Sequence, residues 1–221
     1  MRFTQIPSDT FKQLQLNAGV IASSFTPGTA TLDQSSILGA TTGGITFSAT
    51  PTYTDFGEDI DNCPKNMKEL KKLDSWEVKL SGTYATVSSD LAKLLIGAAD
   101  KATGDATKVV PRNELSADDF KDAWYIGDYS DVNTGDSAGF LAIRIMNALS
   151  TGGFQFTSTD KGKGHFDFEL TGHYSMDKPD TPPFEVYVKA GTATEKSMAM
   201  DGDAPAVASD EAVSGGKKSS K

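Results

Sequence analysis

Residues 165–175, HFDFELTGHYS, alternate between apolar and polar side chains, a pattern that fits an extended chain and no helix. In a strand, successive side chains point to opposite faces. Phe166, Phe168, Leu170, Gly172 and Tyr174 then share one side, while His165, Asp167, Glu169, Thr171 and His173 share the other. Both histidines of the chain lie here, so a metal site and a paired-carboxylate acid–base site compete with a solvated strand face. Residues two apart on one face are about 6.5–7 Å from each other. His165, Asp167 and Glu169 therefore cannot all reach one zinc ion at about 2.0–2.2 Å without ligands from a neighbouring strand. No obvious ligand set stands elsewhere in the sequence, and one buried plus one wet side explains the alternation fully.

The same period recurs. In 75–87, SWEVKLSGTYATV, Trp76, Val78, Leu80, Gly82 and Tyr84 oppose Glu77, Lys79, Ser81 and Thr83. In 43–54, Ile45, Phe47 and Ala49 share a face before Pro51, which should interrupt the ladder and mark an edge, a bulge or a bend. Further strands are expected around Ala123–Gly127 and over 138–147, 153–159, 164–175 and 182–191, with DKGKG (160–164) as a hairpin turn. SSDLAKLLIGAAD (88–100) breaks the pattern: Ser and Asp suit a helix start, Leu91, Leu94 and Leu95 follow at helical spacing, and Gly97 ends the run. Residues 55–66 read as an acidic loop, and 101–116 as extended and loop-like. From Thr192 onward large apolar residues are almost absent, so 192–221 is expected to stay disordered. The resulting division is a β domain over 1–191, with an N-terminal arm and linker (1–36) and a body (37–191), followed by that tail.

Composition narrows the function classes. A formal net charge of −9 disfavours binding nucleic acid through its phosphates, although not a surface past which DNA slides. Cys63 is the only cysteine, so no intrachain disulfide can form. No segment has the apolar length of a signal peptide core or a membrane span, and the chain is expected to be made in the cytoplasm. In GDYSDVNTGDSAG (127–139), Asp131 and Asn133 could take the first two positions of a calcium loop, with Asp128 and Asp136 nearby. Gly135 and Asp136 stand in the wrong order, however, and Ala142 replaces the bidentate Glu. Asp55, Glu58, Asp59 and Asp61 form another acidic cluster, which reads as a solvated loop. KGKGH (161–165) lacks the spacing of a phosphate loop. Nothing marks a nucleophile, so no catalytic residue, metal or cofactor is expected.

FKQLQLNAGVIASSF (11–25), ILGATTGGITFSATPTYTDFGEDIDNC (37–63) and SWEVKLSGTYATVSSDLAKLLIGAAD (75–100) resemble the major tail tube proteins of long-tailed bacteriophages, part of the tail tube and type VI secretion tube-like superfamily. The resemblance covers most of residues 1–190. It implies a mainly β fold of two packed antiparallel β-sheets, sandwich- or barrel-like, with one flanking α-helix, an extended N-terminal arm and long loops. It further implies a virion protein whose homohexameric rings stack into the tail tube. Tape measure, tail terminator and baseplate or tip proteins would be its partners, DNA would pass through the lumen without specific binding, and no membrane would be involved. On that expectation Asp167 and Glu169 face the lumen. Phe11, Leu14, Leu16, Val20 and Ile21 are either an ordinary strand of the protomer's own core or an arm docked on a neighbouring subunit.

Two other classes compete. A β-sandwich carbohydrate or cell-surface binding module would use an exposed aromatic platform, for which Trp124, Tyr125 and Tyr129 are available. Trp124 and Tyr125 would nevertheless point to opposite faces of a strand. A hydrolase would pair His165 or His173 with a carboxylate.

Overall fold

A computed structural model of the chain describes residues 14–15, 17–128 and 139–190. Phe11, Leu16, Tyr129, Asp131, Asn133, Asp136 and the segment 192–221 lie outside the described residues. Within them run β1 (Val20–Ala22), β2 (Thr41–Asp55), β3 (Lys71–Tyr84), α1 (Ser89–Ile96), β4 (Ala99–Ala102), β5 (Asp105–Pro111), β6 (Lys121–Asp128), β7 (Phe140–Ser150), β8 (Gln155–Thr157), β9 (His165–Gly172) and β10 (Phe184–Lys189). The protein is mainly β with one α-helix among the described residues, as the alternation requires. Eight strands form an antiparallel sheet in the order β1-β6-β7-β9-β3-β2, with β10 beside β7 and β8 beside β9. The sheet is open, since β1 and β2 end it without meeting, so the barrel-like closure among the expectations does not occur within the described chain.

The sheet folds over at β7. Phe140–Ile145 lie between β6 and β10, whereas Leu149 and Ser150 pair with Thr171 and Leu170 of β9. Between them Asn147 has φ +49°, a left-handed conformation that asparagine tolerates better than most residues. Here β7 carries one residue more than β6, because Lys121 and Ala123 face Ala148 and Ile145. Such bulges bend a strand. The bend is tied down from several sides. Asn147 N donates to Asp122 Oδ1 at 3.2 Å, its Nδ2 donates to His173 O at 3.1 Å, and His173 Nδ1 lies 3.2 Å from Asn147 O. Arg144 grips Asp122 Oδ2 through Nε and Nη2, at 3.0 and 2.6 Å.

Folding over lets the two halves share one core. Val78, Leu80, Tyr84, Phe166, Phe168 and Leu170 of β3 and β9 meet Ala123, Tyr125, Ile143 and Ile145 of β6 and β7. Each fully buried Leu or Ile among such contacts contributes about 1.5–3 kcal/mol. The far side of β6 and β7 carries a smaller cluster, Ala22, Trp124, Ile126, Phe140 and Ala142. Trp124 and Tyr125 thus do point to opposite faces, and both are buried.

The helix forms where its sequence signals stand. Ser88 Oγ accepts from Leu91 N at 3.1 Å, and Gly97, at φ +82°, ends the run with its N–H on Lys93 O and Leu94 O. Leu91 and Leu95 are buried, and Ser150 Oγ donates to Leu95 O at 2.7 Å, fixing the helix to β7. An eight-residue helix is marginal alone, so this packing is what holds it. One detail departs from the sequence reading: within the stretch 101–116, read as extended and loop-like, Asp105–Pro111 pairs with Ala99–Ala102 as the hairpin β4–β5. Pro51 marks an edge and a bulge, as expected, although β2 continues through it and Pro51 pairs with Trp76. Proline is admitted because β2 is an edge strand with no neighbour to receive its missing N–H, and a register shift follows directly, between Thr52 and Tyr53.

Candidate functional site: a polar sheet face and its free edges

Antiparallel register decides which side chains share a surface. Asp167 lies opposite Thr83, Glu169 opposite Ser81 and Thr171 opposite Lys79. Ser81, Lys79 and Glu77 in turn lie opposite Thr46, Ser48 and Thr50. On the other flank Gln155 and Thr157 of β8 face Asp167 and His165. The outer face of β2–β3–β9–β8 is therefore polar across all four strands, while the inner face carries Ile45, Phe47, Val78, Leu80, Phe166, Phe168 and Leu170. Burial follows suit, with Phe166, Phe168, Leu170 and Gly172 buried and the residues between them half-buried or exposed.

Short polar links stiffen this face. Thr83 Oγ1 donates to Asp167 Oδ1 at 2.7 Å, Thr151 Oγ1 donates to Glu169 Oε1 at 3.1 Å, and Thr151 also bonds Thr171 at 2.8 Å. Lys79 Nζ sits 2.7 Å from Glu77 Oε1. The Glu77 hydrogen bond and charge, with Glu169 further off, hold the Lys79 ammonium above its usual range. Glu77, Asp167 and Glu169 against Lys79 leave two carboxylates uncompensated on this face. A shallow depression beside Ser81, Gly152, Gln155, Asp167 and Glu169 marks the surface.

The other clusters weighed in the sequence do not come together among the described residues, where no three His, Cys, Asp or Glu side chains are placed to hold a metal ion. His173 serves the β7 bend and stacks edge-on against Phe120 at 5.3 Å. Asp55 closes a turn by accepting from Gly57 N at 2.9 Å and Asn66 N at 2.8 Å, which lowers its pKa from the usual value. Glu58 pairs with Lys65 at 3.6 Å. Trp124 and Tyr125 are too buried to form a platform, and no described helix is long and apolar enough to cross a membrane. Of the arm residues, Ile21 is wholly buried in the protomer's own core, so its side chain cannot also meet a neighbour. Val20 is half-buried and Leu14 is 42% exposed.

The stretch 55–73, a weaker interface candidate in the sequence, forms a second feature. β3 begins at Lys71, well before its buried part, so β2 and β3 run on together as a projecting hairpin. Tyr53, Phe56, Ile60, Met67 and Leu73 at this end are 38–58% exposed. Their apolar character was legible, but their joint exposure depends on where the core stops covering the hairpin. β2 and β10 also leave one edge unpaired among the described strands, and Val186 and Val188 of β10 are 49% and 65% exposed.

No known protein family matches the sequence, and no curated protein does. Among solved structures the chain is similar to a chain from the virion of a native gene transfer agent (GTA) particle, at 9% identity and a TM-score of 0.39. The match covers 78% of this chain and 96% of that one.

Proposed function

We propose that this protein is a structural subunit of a phage-type virion, which self-assembles into stacked homohexameric rings and forms a tail tube for DNA ejection. The observation that carries the reading is the four-stranded polar face, stiffened by Thr–carboxylate bonds and left with two excess negative charges. Turned toward a lumen, it would repel phosphates and let DNA slide without sticking. The free edges of β2 and β10 fit this reading, because exposed edges require cover and closing a ring supplies it. The apolar hairpin tip is a surface that assembly would bury. The role is structural rather than catalytic. Its partners would be further copies of itself and the tape measure, terminator and baseplate or tip proteins of a tail.

Electron microscopy of the purified chain at high concentration, with its mass by light scattering, tests assembly. Hollow sixfold rings or tubes are expected, and a monomer that never polymerises even with an initiating tail complex would overturn the reading. Replacing Asp167 and Glu169 together by Lys turns two excess negative charges on the face into two excess positive ones. Tubes should still form, and DNA passage should slow or stop. Normal infectivity would remove the lumen assignment.

A further inference from the structure

The β8–β9 hairpin holds two aromatic rings in place and leaves both at the surface. Phe156 stacks on Phe166 with ring centroids 4.8 Å apart, and Phe154 lies 5.8 Å from the same ring. Gly164 admits this packing, since a Cβ there would stand 2.8 Å from the Phe156 ring. Phe154 and Phe156 nevertheless remain 44% and 55% exposed. The turn beside them carries Lys161 and Lys163 against Asp160, all exposed and none in an ion pair among the described residues. Aromatic side chains already fixed in position lose little freedom when a partner covers them.

The opposite end of the same sheet is its complement. The loop that joins β2 to β3 is fastened by its own bonds: Asp55 accepts from Gly57 N and Asn66 N, Phe56 N donates to Leu70 O at 3.0 Å, and Cys63 N donates to Ile60 O at 3.2 Å. So held, it presents Phe56 and Ile60 at 58% and 52% exposure. Glu58 is taken by Lys65, and Lys68 by Glu69, whereas Asp59 and Asp61 have no ion-pair partner among the described residues. Charge then selects the contact. Two loops face to face would set carboxylates together, and two β8–β9 turns would set lysines together, so only unlike ends attract. They cannot meet within one copy. Phe156 stands level with Phe166 and hence with Tyr84, and the loop begins beyond Lys71, 13 residues away along β3 or about 43 Å at the strand rise. A contact between unlike ends of separate copies is head-to-tail and repeats from copy to copy.

We propose that the β8–β9 end of one copy is the docking site for the β2–β3 loop of a second copy, with Asp59 and Asp61 set against Lys161 and Lys163 and the exposed apolar side chains between them. The inference rests on the self-assembly proposed above, but not on which face lines the lumen. The test uses the full-length chain. Asp59→Lys with Asp61→Lys, or Lys161→Asp with Lys163→Asp, should each weaken association about tenfold, with the thermal melt of the protomer unchanged. A chain carrying all four changes should regain it. For a second reading, chains with Cys63→Ser, one carrying Ile60→Cys and a differently tagged one carrying Thr159→Cys, are mixed under assembly conditions and treated with a short bis-maleimide. A cross-linked pair bearing both tags is expected. Rings or tubes that form equally well in the reversed variants, or without the cross-link, would overturn the docking and leave assembly standing. A chain with all four changes that stays weak with an unchanged melt would also overturn it. A wild-type chain that neither associates nor cross-links would overturn both proposals.

Discussion

Tyr84 ends β3 with its ring fully buried, 4.6 Å from that of Phe168, and its hydroxyl without a hydrogen-bond partner among the described residues. An unpaired buried hydroxyl costs about 1–3 kcal/mol. Tyr84→Phe keeps the ring contacts and removes that group, so the variant should be more stable than the wild type by about 1–3 kcal/mol near pH 7. In urea this would raise the midpoint by about 0.5–1.5 M for a slope of about 2 kcal/mol per M, with the slope itself unchanged. A pH series gives a second, independent reading. Burial pushes the Tyr84 phenol above its usual value of 10.0. Above about pH 10 the unfolded chain therefore loses this proton while the folded one retains it. The unfolded state then binds fewer protons, and wild-type stability falls with rising pH. The variant lacks this contribution, so its advantage should widen above about pH 10. A Tyr84→Phe protein that is less stable by 1 kcal/mol or more, with a gap that does not widen in alkali, would mean that the hydroxyl is bonded after all.

At the β7 bend, Asn147→Gly keeps the left-handed backbone accessible and should cost about 0.5–1.5 kcal/mol for the lost side-chain bond. Asn147→Val should cost about 1–2 kcal/mol more, and equal thermal shifts for the two would show that the backbone conformation is not what selects asparagine. Burial would raise the Asp119 carboxyl, but hydrogen bonds from Ser116 N and Arg112 outweigh it and hold the pKa below 3.8. Its stabilisation is thus complete above that value and lost as the pH falls through the lower folded pKa. Asp119→Asn should flatten acid unfolding below about pH 4, and an unaltered acid limb would refute that account.

Much of the fold was legible because burial on one face leaves a period of two. β9 and β3 carry their apolar residues where alternation places them, and α1 starts and stops at Ser88 and Gly97. Other features depend on partners that sequence alone does not name. Residues 101–116 read as extended and loop-like because β5 is almost wholly exposed and lacks a clear alternation, so only the turn at Gly104 signals its hairpin with β4. The β7 bend depends on Asp122, Arg144 and His173, which are far apart in the chain and individually ordinary. At the candidate site, the wet side of β9 was plain. Its extension over β3, β2 and β8 required the register, since polar residues on separate strands form one surface only when their pairing is known.

The place of β9 in the sheet also sets a clock. Its neighbour β3 comes much earlier in the chain, with Tyr84 paired to Phe166 82 positions later. At about 5–20 residues per second a ribosome takes about 4–16 s to cover that interval. During it the β2–β3 hairpin can form, but Val78 and Leu80 lack the strand that completes their sheet. Contacts so distant in sequence also slow the search that follows synthesis. The half-made body therefore leaves the β3 edge without its β9 partner for seconds, and an unpaired apolar strand edge is the kind of surface on which chains aggregate.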